Sequence, residues 1–155
     1  MTRILALALG CALGMATVAA RADIRMRNID PVWKAECGSC HTGFPPELLR
    51  AQDWKKVMEG LDKHFGANAT VSADEARAIA AWLEKNAAGD GDAQRAAPDG
   101  RLTTTPWFVR EHRGIKPEQW AHPDIKRPSN CGACHLEADE GVFGHRVSIP
   151  GTAPK

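Results

Sequence analysis

Several things are absent from this 155-residue sequence, and each absence removes a class of function. There is no tyrosine, so a tyrosyl-radical mechanism is excluded. There is no excess of one charge, since 20 Lys and Arg face 19 Asp and Glu, and no basic patch indicates nucleic-acid binding. Low-complexity runs are also missing. With 43% hydrophobic and 25% charged residues, the composition is that of a globular protein.

The first 22 residues predict a signal peptide rather than part of the fold. Arg3 precedes an apolar run over residues 4–18, and small residues at positions 20 and 22 favour cleavage before Asp23. A retained membrane anchor fits less well because the run is short and polar sequence follows at once. A lipid on Cys11 fits poorly because the preceding residues do not make a lipobox. We therefore expect an exported, periplasmic protein that is not transmembrane after cleavage.

Cleavage would also change the charge and the cysteine count. Without Arg3 and Arg21, 18 basic residues face 19 acidic ones, a net charge of −1. Without Cys11, four of the five cysteines remain, and all four lie in two copies of Cys-x-x-Cys-His. The copies are "CGSCH" at 37–41 and "CGACH" at 131–135. No cysteine is left over for a structural disulfide.

The two motifs predict covalent attachment of two haems. Cys37 and Cys40, like Cys131 and Cys134, place two thiols one helical turn apart for the two vinyl groups of haem. The next residue in each motif, His41 or His135, supplies an axial imidazole. A zinc ribbon does not need this histidine twice, and a thioredoxin-type pair needs a βαβ setting that the flanks do not show.

The sequence predicts two units, each with one Cys-x-x-Cys-His motif. We predict an N-terminal haem domain over 23–88, a linker over 89–100 rich in Gly, Asp and Ala, and a C-terminal haem domain over 101–155. Each unit is too short to build a large core by itself. A haem would add a large apolar disc around which each unit can fold.

Helix signals predict a mainly α protein. Asp30 followed by Pro31 predicts a helix start, Ser72 with Glu75 forms a capping box, and Thr105 with Pro106 predicts a short helix. An apolar stripe at helical spacing predicts a helix with its C-cap at Gly66. The stripe consists of Trp54, Val57, Met58, Leu61 and Phe65.

In the second half, Ser129 or Asn130 is expected to cap a helix that carries Cys131, Cys134 and His135. Before it, Pro117, Pro123 and Pro128 are expected to break the chain.

The second axial ligand of each iron is open to more than one interpretation. On the first stripe, His64 and Met58 both qualify; His64 is favoured because coordination explains a polar residue there, and packing explains Met58. For the second haem, His112 follows an aromatic turn that could line the ring. His122 and His145 lie in polar or Gly-flanked stretches typical of surface residues.

The motifs "FPPELL" at 44–49, "LDKHFG" at 61–66 and "WFVREH" at 107–112, together with both Cys-x-x-Cys-His sequences, resemble the exported dihaem cytochrome c family. The resemblance extends over nearly all of the chain after residue 22. It implies a class I cytochrome c-like N-terminal domain, a small irregular α C-terminal domain, and bis-histidine coordination of both irons. It also implies low reduction potentials and electron transfer with other haem proteins. A small oxygen-binding monohaem cytochrome c and a membrane cytochrome b are the partners it suggests.

Three function classes are consistent with two haems. An electron carrier needs both irons closed by protein ligands, whereas a dihaem peroxidase or a gas-binding sensor needs one open iron. Enough histidines are present to close both sites, and dihaem peroxidases are about twice this length. We therefore predict an electron carrier and not an enzyme.

Overall fold

The computed structural model describes residues 24–144 and 146–152. The predicted signal peptide at 1–22 and the candidate ligand His145 lie outside these residues. The described part is mainly helical, as predicted, and its only β-structure consists of isolated bridges. None of its helices is long and apolar enough to cross a membrane.

The α-helices are α1 (Pro31–Cys37), α2 (Ala51–Glu59), α3 (Ala73–Asn86), α4 (Pro106–Glu111) and α5 (Pro117–Trp120). Short 3-10 helices lie at Pro46–Leu48, Leu61–Lys63, Ala93–Arg95, Leu102–Thr104, Cys131–Ala133 and Ala138–Glu140.

Three predicted helix starts are confirmed by their caps. The Asp30 side chain accepts a hydrogen bond from the Trp33 backbone, and the Thr105 side chain accepts one from Phe108, with proline next in each helix. Ser72 and Glu75 form the reciprocal capping box at the start of α3. These local signals need no tertiary contact, which is why the sequence identifies them.

The core forms where α1 and α2 pack against α3. Its buried members come from both halves of the chain and are Trp33, Leu48, Leu49, Trp54, Ile79, Leu83, Ala97, Leu102 and Phe108. Ile79 and Leu83 lie one turn apart on α3 and are 1% exposed, so burial of each contributes about 1.5–3 kcal/mol. The indole N–H of Trp54 is satisfied by the Pro46 carbonyl at 2.7 Å.

Helix α2 is shorter than the apolar stripe predicted. It ends at Glu59 with Gly60 as the C-cap, and the chain continues as a 3-10 turn over Leu61–Lys63. The prediction of Gly66 as the C-cap was wrong. Glycine costs about 1 kcal/mol inside a helix, so Gly60 favours termination there. The earlier end places His64 on a turn instead of on a helix face.

The second motif is also less helical than predicted. Cys131–Ala133 is a single 3-10 turn, and Asn130 makes no side-chain cap to it. The Asn130 amide instead donates to the carbonyls of Asp124 and Ile125, at 3.1 and 3.2 Å. A side chain committed to the preceding loop cannot cap the following turn. The prolines of that loop did not prevent α5, because Pro117 occupies its first position.

Residues 89–100 pack against α2. Ala97 is fully buried, and its backbone N–H donates to the buried carboxylate of Asp53 at 3.1 Å. Arg50 also donates to this carboxylate, with Nε at 2.6 Å. The Asp90 carboxylate accepts from the backbone of Gln52 at 3.0 Å. The division into two domains joined by a linker stays a prediction.

The first described residues pair with the last part of the chain. The Met26 N–H donates to the Gly141 carbonyl at 2.8 Å, and Phe143 donates to Ile24 at 2.9 Å. Gly141 has φ +80, and a Cβ there would lie 3.0 Å from the Cβ of Met26. This close approach favours glycine. The pairing ties the start of the described chain to the segment that follows the second motif.

Candidate metal centres

The first centre consists of two imidazoles that face each other. The ring of His41, directly after α1 and the first cysteine pair, lies 6.3 Å from the ring of His64, measured between centroids. The two planes differ by 14°. Phe44 also stacks on His41, with ring centroids 5.0 Å apart. The structure therefore brings together the two histidines that the sequence predicted for the first iron.

Hydrogen bonding fixes which nitrogen of His41 is available. Its Nδ1 lies 2.7 Å from the Thr42 carbonyl, which can only accept, so Nδ1 carries the proton. Nε2 then has a free lone pair, as metal coordination requires. On His64, burial and the neighbouring His41 lower the pKa, which favours the neutral, coordinating form of this ring.

A tight turn holds His64 in place. The Ala67 N–H donates to the His64 carbonyl at 3.0 Å, and the two residues between them both have positive φ, +48 at Phe65 and +99 at Gly66. This is the pattern of a type I′ turn. Glycine suits its position, whereas a bulky residue at Phe65 is unusual. The sequence analysis assigned Phe65 to a helix and so missed this turn.

The second centre pairs His112, at the C-terminal end of α4, with His135. Their ring centroids are 6.1 Å apart, close to the separation in the first centre. Their planes differ by 78°, so these rings are nearly perpendicular. Ring contacts to Phe108 at 4.0 Å and to Trp120 at 6.0 Å position His112.

The same hydrogen-bond pattern fixes both imidazoles of the second centre. Nδ1 of His112 lies 2.9 Å from the Phe108 carbonyl, and Nδ1 of His135 lies against the Phe143 carbonyl. Both rings therefore carry the proton on Nδ1 and present Nε2. Burial lowers the pKa of His135, which the Phe143 carbonyl opposes and the nearby His112 reinforces. Three of the four imidazoles thus have the backbone partner that ligating histidines normally have.

The four cysteines border these centres as thiols. Burial, with a smaller effect of Glu36, raises the pKa of Cys37 to about 11, and burial raises that of Cys131 to about 11. Burial also raises the pKa of Cys134. Raised values disfavour the free thiolate that a redox-active cysteine requires. Thioether formation would remove the titrating proton of each thiol.

The dimensions of both centres fit a haem iron. An iron midway between two facing imidazoles, with metal–nitrogen bonds of about 2 Å, would separate the ring centroids by roughly 6 Å. Each pair supplies two donors, which suits an iron whose other four ligands come from a porphyrin. Apolar side chains are exposed beside the imidazoles: Phe65 next to His64, Val109 one turn before His112, and Leu136 next to His135. A porphyrin would cover such surfaces.

The other candidate ligands lie elsewhere or are not described. Met58 is partly buried and packs against the main hydrophobic core. The Nδ1 of His122 accepts a hydrogen bond from the Asp124 backbone at 3.3 Å, and its ring lies against Gly151. His145 lies outside the described residues.

The two motifs contact each other, which the sequence did not indicate. The Thr42 hydroxyl, directly after His41, donates to the Asp139 carboxylate at 2.7 Å. A Cβ on Gly132, inside the second motif, would lie 3.4 Å from the same hydroxyl oxygen. No spacing or capping signal predicts a contact between residues so distant in sequence. The two centres are therefore adjacent in the fold.

Comparisons with known proteins identify the family. A family model described as dihaem cytochrome c matches residues 33–143. A diheme cytochrome type c from Shewanella baltica OS155 superposes with a TM-score of 0.68 and 32% identity, covering 79% of this chain and 94% of its own. A diheme cytochrome c from Rhodobacter sphaeroides superposes with a TM-score of 0.66 and 34% identity, covering 75% of this chain and 98% of its own. No curated protein sequence matches. The chain therefore belongs to the dihaem cytochrome c family.

Proposed function

We propose that this protein is an exported electron carrier that holds two covalent haems, each coordinated by two histidines. Membership of a dihaem cytochrome family implies two haems and a function in electron transfer. The observation that supports coordination by two histidines is the placement of two imidazole pairs, whose ring centroids are 6.3 Å apart in one pair and 6.1 Å apart in the other. Two protein ligands per iron leave no coordination position for a substrate.

In the first centre, Cys37 and Cys40 would attach the haem, and His41 and His64 would coordinate its iron. The end of α1 at Cys37 turns the chain so that the adjacent His41 faces His64. The Thr42 carbonyl keeps the His41 proton on Nδ1, away from the coordinating nitrogen. The type I′ turn after His64 fixes the backbone of the opposite ligand.

In the second centre, Cys131 and Cys134 would attach the haem, and His112 and His135 would coordinate its iron. The 3-10 turn at Cys131–Ala133 is stabilised by the Cys134 N–H, which donates to the Cys131 carbonyl at 3.1 Å. The Phe108 and Phe143 carbonyls orient the two imidazoles. The Phe108 ring stacks on His112, with centroids 4.0 Å apart.

Haem iron supplies a one-electron ferric–ferrous couple, and its axial ligands tune the potential. Two imidazoles per iron support a carrier over the peroxidase and sensor alternatives, which both need an open iron. The Thr42–Asp139 hydrogen bond and the Gly132 contact hold the two motifs together. Adjacent centres can exchange electrons, so the protein can accept an electron at one and release it from the other.

The location and partners form part of the proposal. The apolar run at residues 4–18 supports export to the periplasm, the compartment in which bacteria attach haem to cysteine pairs. The partners are other redox proteins; the family resemblance suggests a small oxygen-binding monohaem cytochrome c and a membrane cytochrome b. The balanced charge of the chain does not support binding to nucleic acid.

Mass spectrometry and optical spectroscopy test this proposal directly. The intact mass after acid denaturation should equal the chain from residue 23 plus two haems, with no free thiol. The oxidised protein should show a fully low-spin spectrum. As a control, replacing Cys131 and Cys134 together with Ser should remove one haem from the mass. A single haem in the unaltered protein, or a high-spin band, would contradict the proposal.

A further inference from the structure

Phe65 occupies a position that neither its backbone nor its burial explains. Its φ of +48 places it in the left-handed region, where a bulky side chain is a genuine outlier. Its side chain is also 47% exposed, so burial offsets little of that strain. Asn or Gly would satisfy the type I′ turn at lower cost. The explanation must therefore come from what the ring touches.

The Phe65 ring links a predicted iron ligand to a cation. One side of it meets the His64 imidazole edge-on, with centroids 4.9 Å apart and planes at 62°. The Arg101 guanidinium lies over the Phe65 ring, with Cζ 4.3 Å from the centroid. This distance is within the range of a cation–π interaction. Arg101, from the second half of the chain, thus reaches the ligand of the first centre through one ring.

The backbone before Arg101 is built to hold this arrangement. The Arg101 N–H donates to the Asp99 carboxylate at 3.0 Å. Gly100 has φ +72, and a Cβ there would lie 3.2 Å from Val57 and 3.8 Å from the Phe65 ring. Only glycine combines this conformation with such a close approach. The guanidinium is therefore presented by a fixed loop that packs on Phe65.

We propose that Phe65 and Arg101 are positioning residues of the first centre: Phe65 fixes the His64 imidazole, and the charge of Arg101 raises the reduction potential of its iron. The inference rests on the proposed coordination by His41 and His64. A guanidinium stays protonated at any working pH, so its charge is permanent. Reduction of ferric to ferrous iron removes one positive charge, so a fixed cation nearby favours the ferrous state.

Substitution of Arg101 tests the effect of the charge. The potentials are measured in a redox titration of the two-haem protein followed by EPR. The two centres are distinguishable because the angle between the two imidazole planes is 14° in the first centre and 78° in the second. Arg101→Gln should lower the potential of the first centre and leave that of the second centre unchanged. Arg101→Lys should keep most of the potential, because it keeps the charge. Arg77→Gln, which removes an equal charge from the exposed ion pair with Asp74, is the control and should shift neither centre.

Substitution of Phe65 tests the positioning. Phe65→Asn keeps a residue that tolerates the left-handed turn but removes the ring under Arg101. The potential of the first centre should fall by less than in Arg101→Gln, because Arg101 is retained and loses only its contact with the ring, and the reduced protein should bind carbon monoxide faster because His64 is held less firmly. Unchanged potentials in folded, low-spin Arg101→Gln and Phe65→Asn proteins would overturn the inference. A first centre that is not bis-histidine low-spin in the unaltered protein would instead overturn the proposed function.

Discussion

The imidazole rings of His41 and His64 lie nearly parallel, with a 14° angle between their planes and 6.3 Å between their centroids. The other pair, His112 and His135, has nearly the same separation but planes at 78°. The two histidine pairs therefore match in ring separation and differ in ring orientation.

The difference in orientation predicts two distinct EPR signals from the oxidised protein. Parallel imidazoles act on the same iron d orbital and split the d-orbital energies, which gives a rhombic signal. Perpendicular imidazoles act on two orbitals equally and give a strongly anisotropic, nearly axial signal. EPR at liquid-helium temperature should show both in equal amounts. His64→Ala should remove the rhombic signal alone and His112→Ala the other; a single signal type in the unaltered protein would contradict the geometry.

Removal of His64 should open the first iron. His64→Ala is expected to give a high-spin component in the oxidised spectrum and rapid carbon monoxide binding after reduction. Met58→Leu is the matched control, because Met58 packs against the core and the change conserves volume. A fully low-spin His64→Ala protein would remove His64 from the centre. His64→Met should raise the potential of this haem, since thioether coordination favours ferrous iron.

Among the charged residues that the structure describes, Asp53 is expected to lower the free energy of unfolding most when it is substituted. Its carboxylate is fully buried and accepts hydrogen bonds from Arg50 and from the Ala97 backbone. Asp53→Asn should lower the free energy of unfolding of the holoprotein by roughly 3 kcal/mol, because it removes the negative charge of a buried ion pair and leaves Arg50 without that partner. Lys56 lies 3.6 Å from the same carboxylate but is half exposed, so Lys56→Gln should cost less than about 1 kcal/mol. Equal losses in urea unfolding would contradict this account.

The same carboxyl group predicts a dependence of stability on pH. Burial opposes ionisation of Asp53, but the hydrogen bonds and charges of its partners hold its pKa below the usual 3.8. Between the two values the unfolded chain binds more protons than the folded one, so the stabilisation is present above pH 3.8 and is lost as the pH falls through the folded value. The difference in unfolding free energy between the unaltered protein and Asp53→Asn should be constant from pH 7 to pH 5. It should shrink below pH 3.8; a difference that grows on acidification would refute this assignment.

Gly43 should not tolerate even one added methyl group. A Cβ there would lie 2.6 Å from the ring of Trp33, a buried residue of the main core. Gly43→Ala should lower the free energy of unfolding by about 1–3 kcal/mol, since the indole must move within a packed core. Gly89→Ala is the matched control because a Cβ at Gly89 meets nothing within 4 Å. Similar melting temperatures for the two variants would contradict this packing.

The comparison of sequence and structure separates local signals from contacts made across the chain. The starts of α1 and α3 were predictable, because Asp30 and Ser72 bond to residues three positions later in the same helix. The end of α2 was mispredicted because the apolar stripe continues past Gly60. The missing helix at Cys131 depends on the Asn130 amide, which bonds to carbonyls of the preceding loop. Where a side chain has two available sets of hydrogen-bond partners, tertiary packing decides which set it uses.

The sequence by itself determined the mainly helical class, the family resemblance and the two Cys-x-x-Cys-His motifs, because these depend on residue type and short spacing. It also predicted the four histidines, and their assignment as ligands stays a prediction. Only the tertiary structure decided that the ring planes lie at 14° in one pair and 78° in the other, that Thr42 meets Asp139, and that Arg101 lies over Phe65. Each of these joins residues far apart in the chain. Such contacts depend on how turns and core packing orient whole segments, and no local pattern records that orientation.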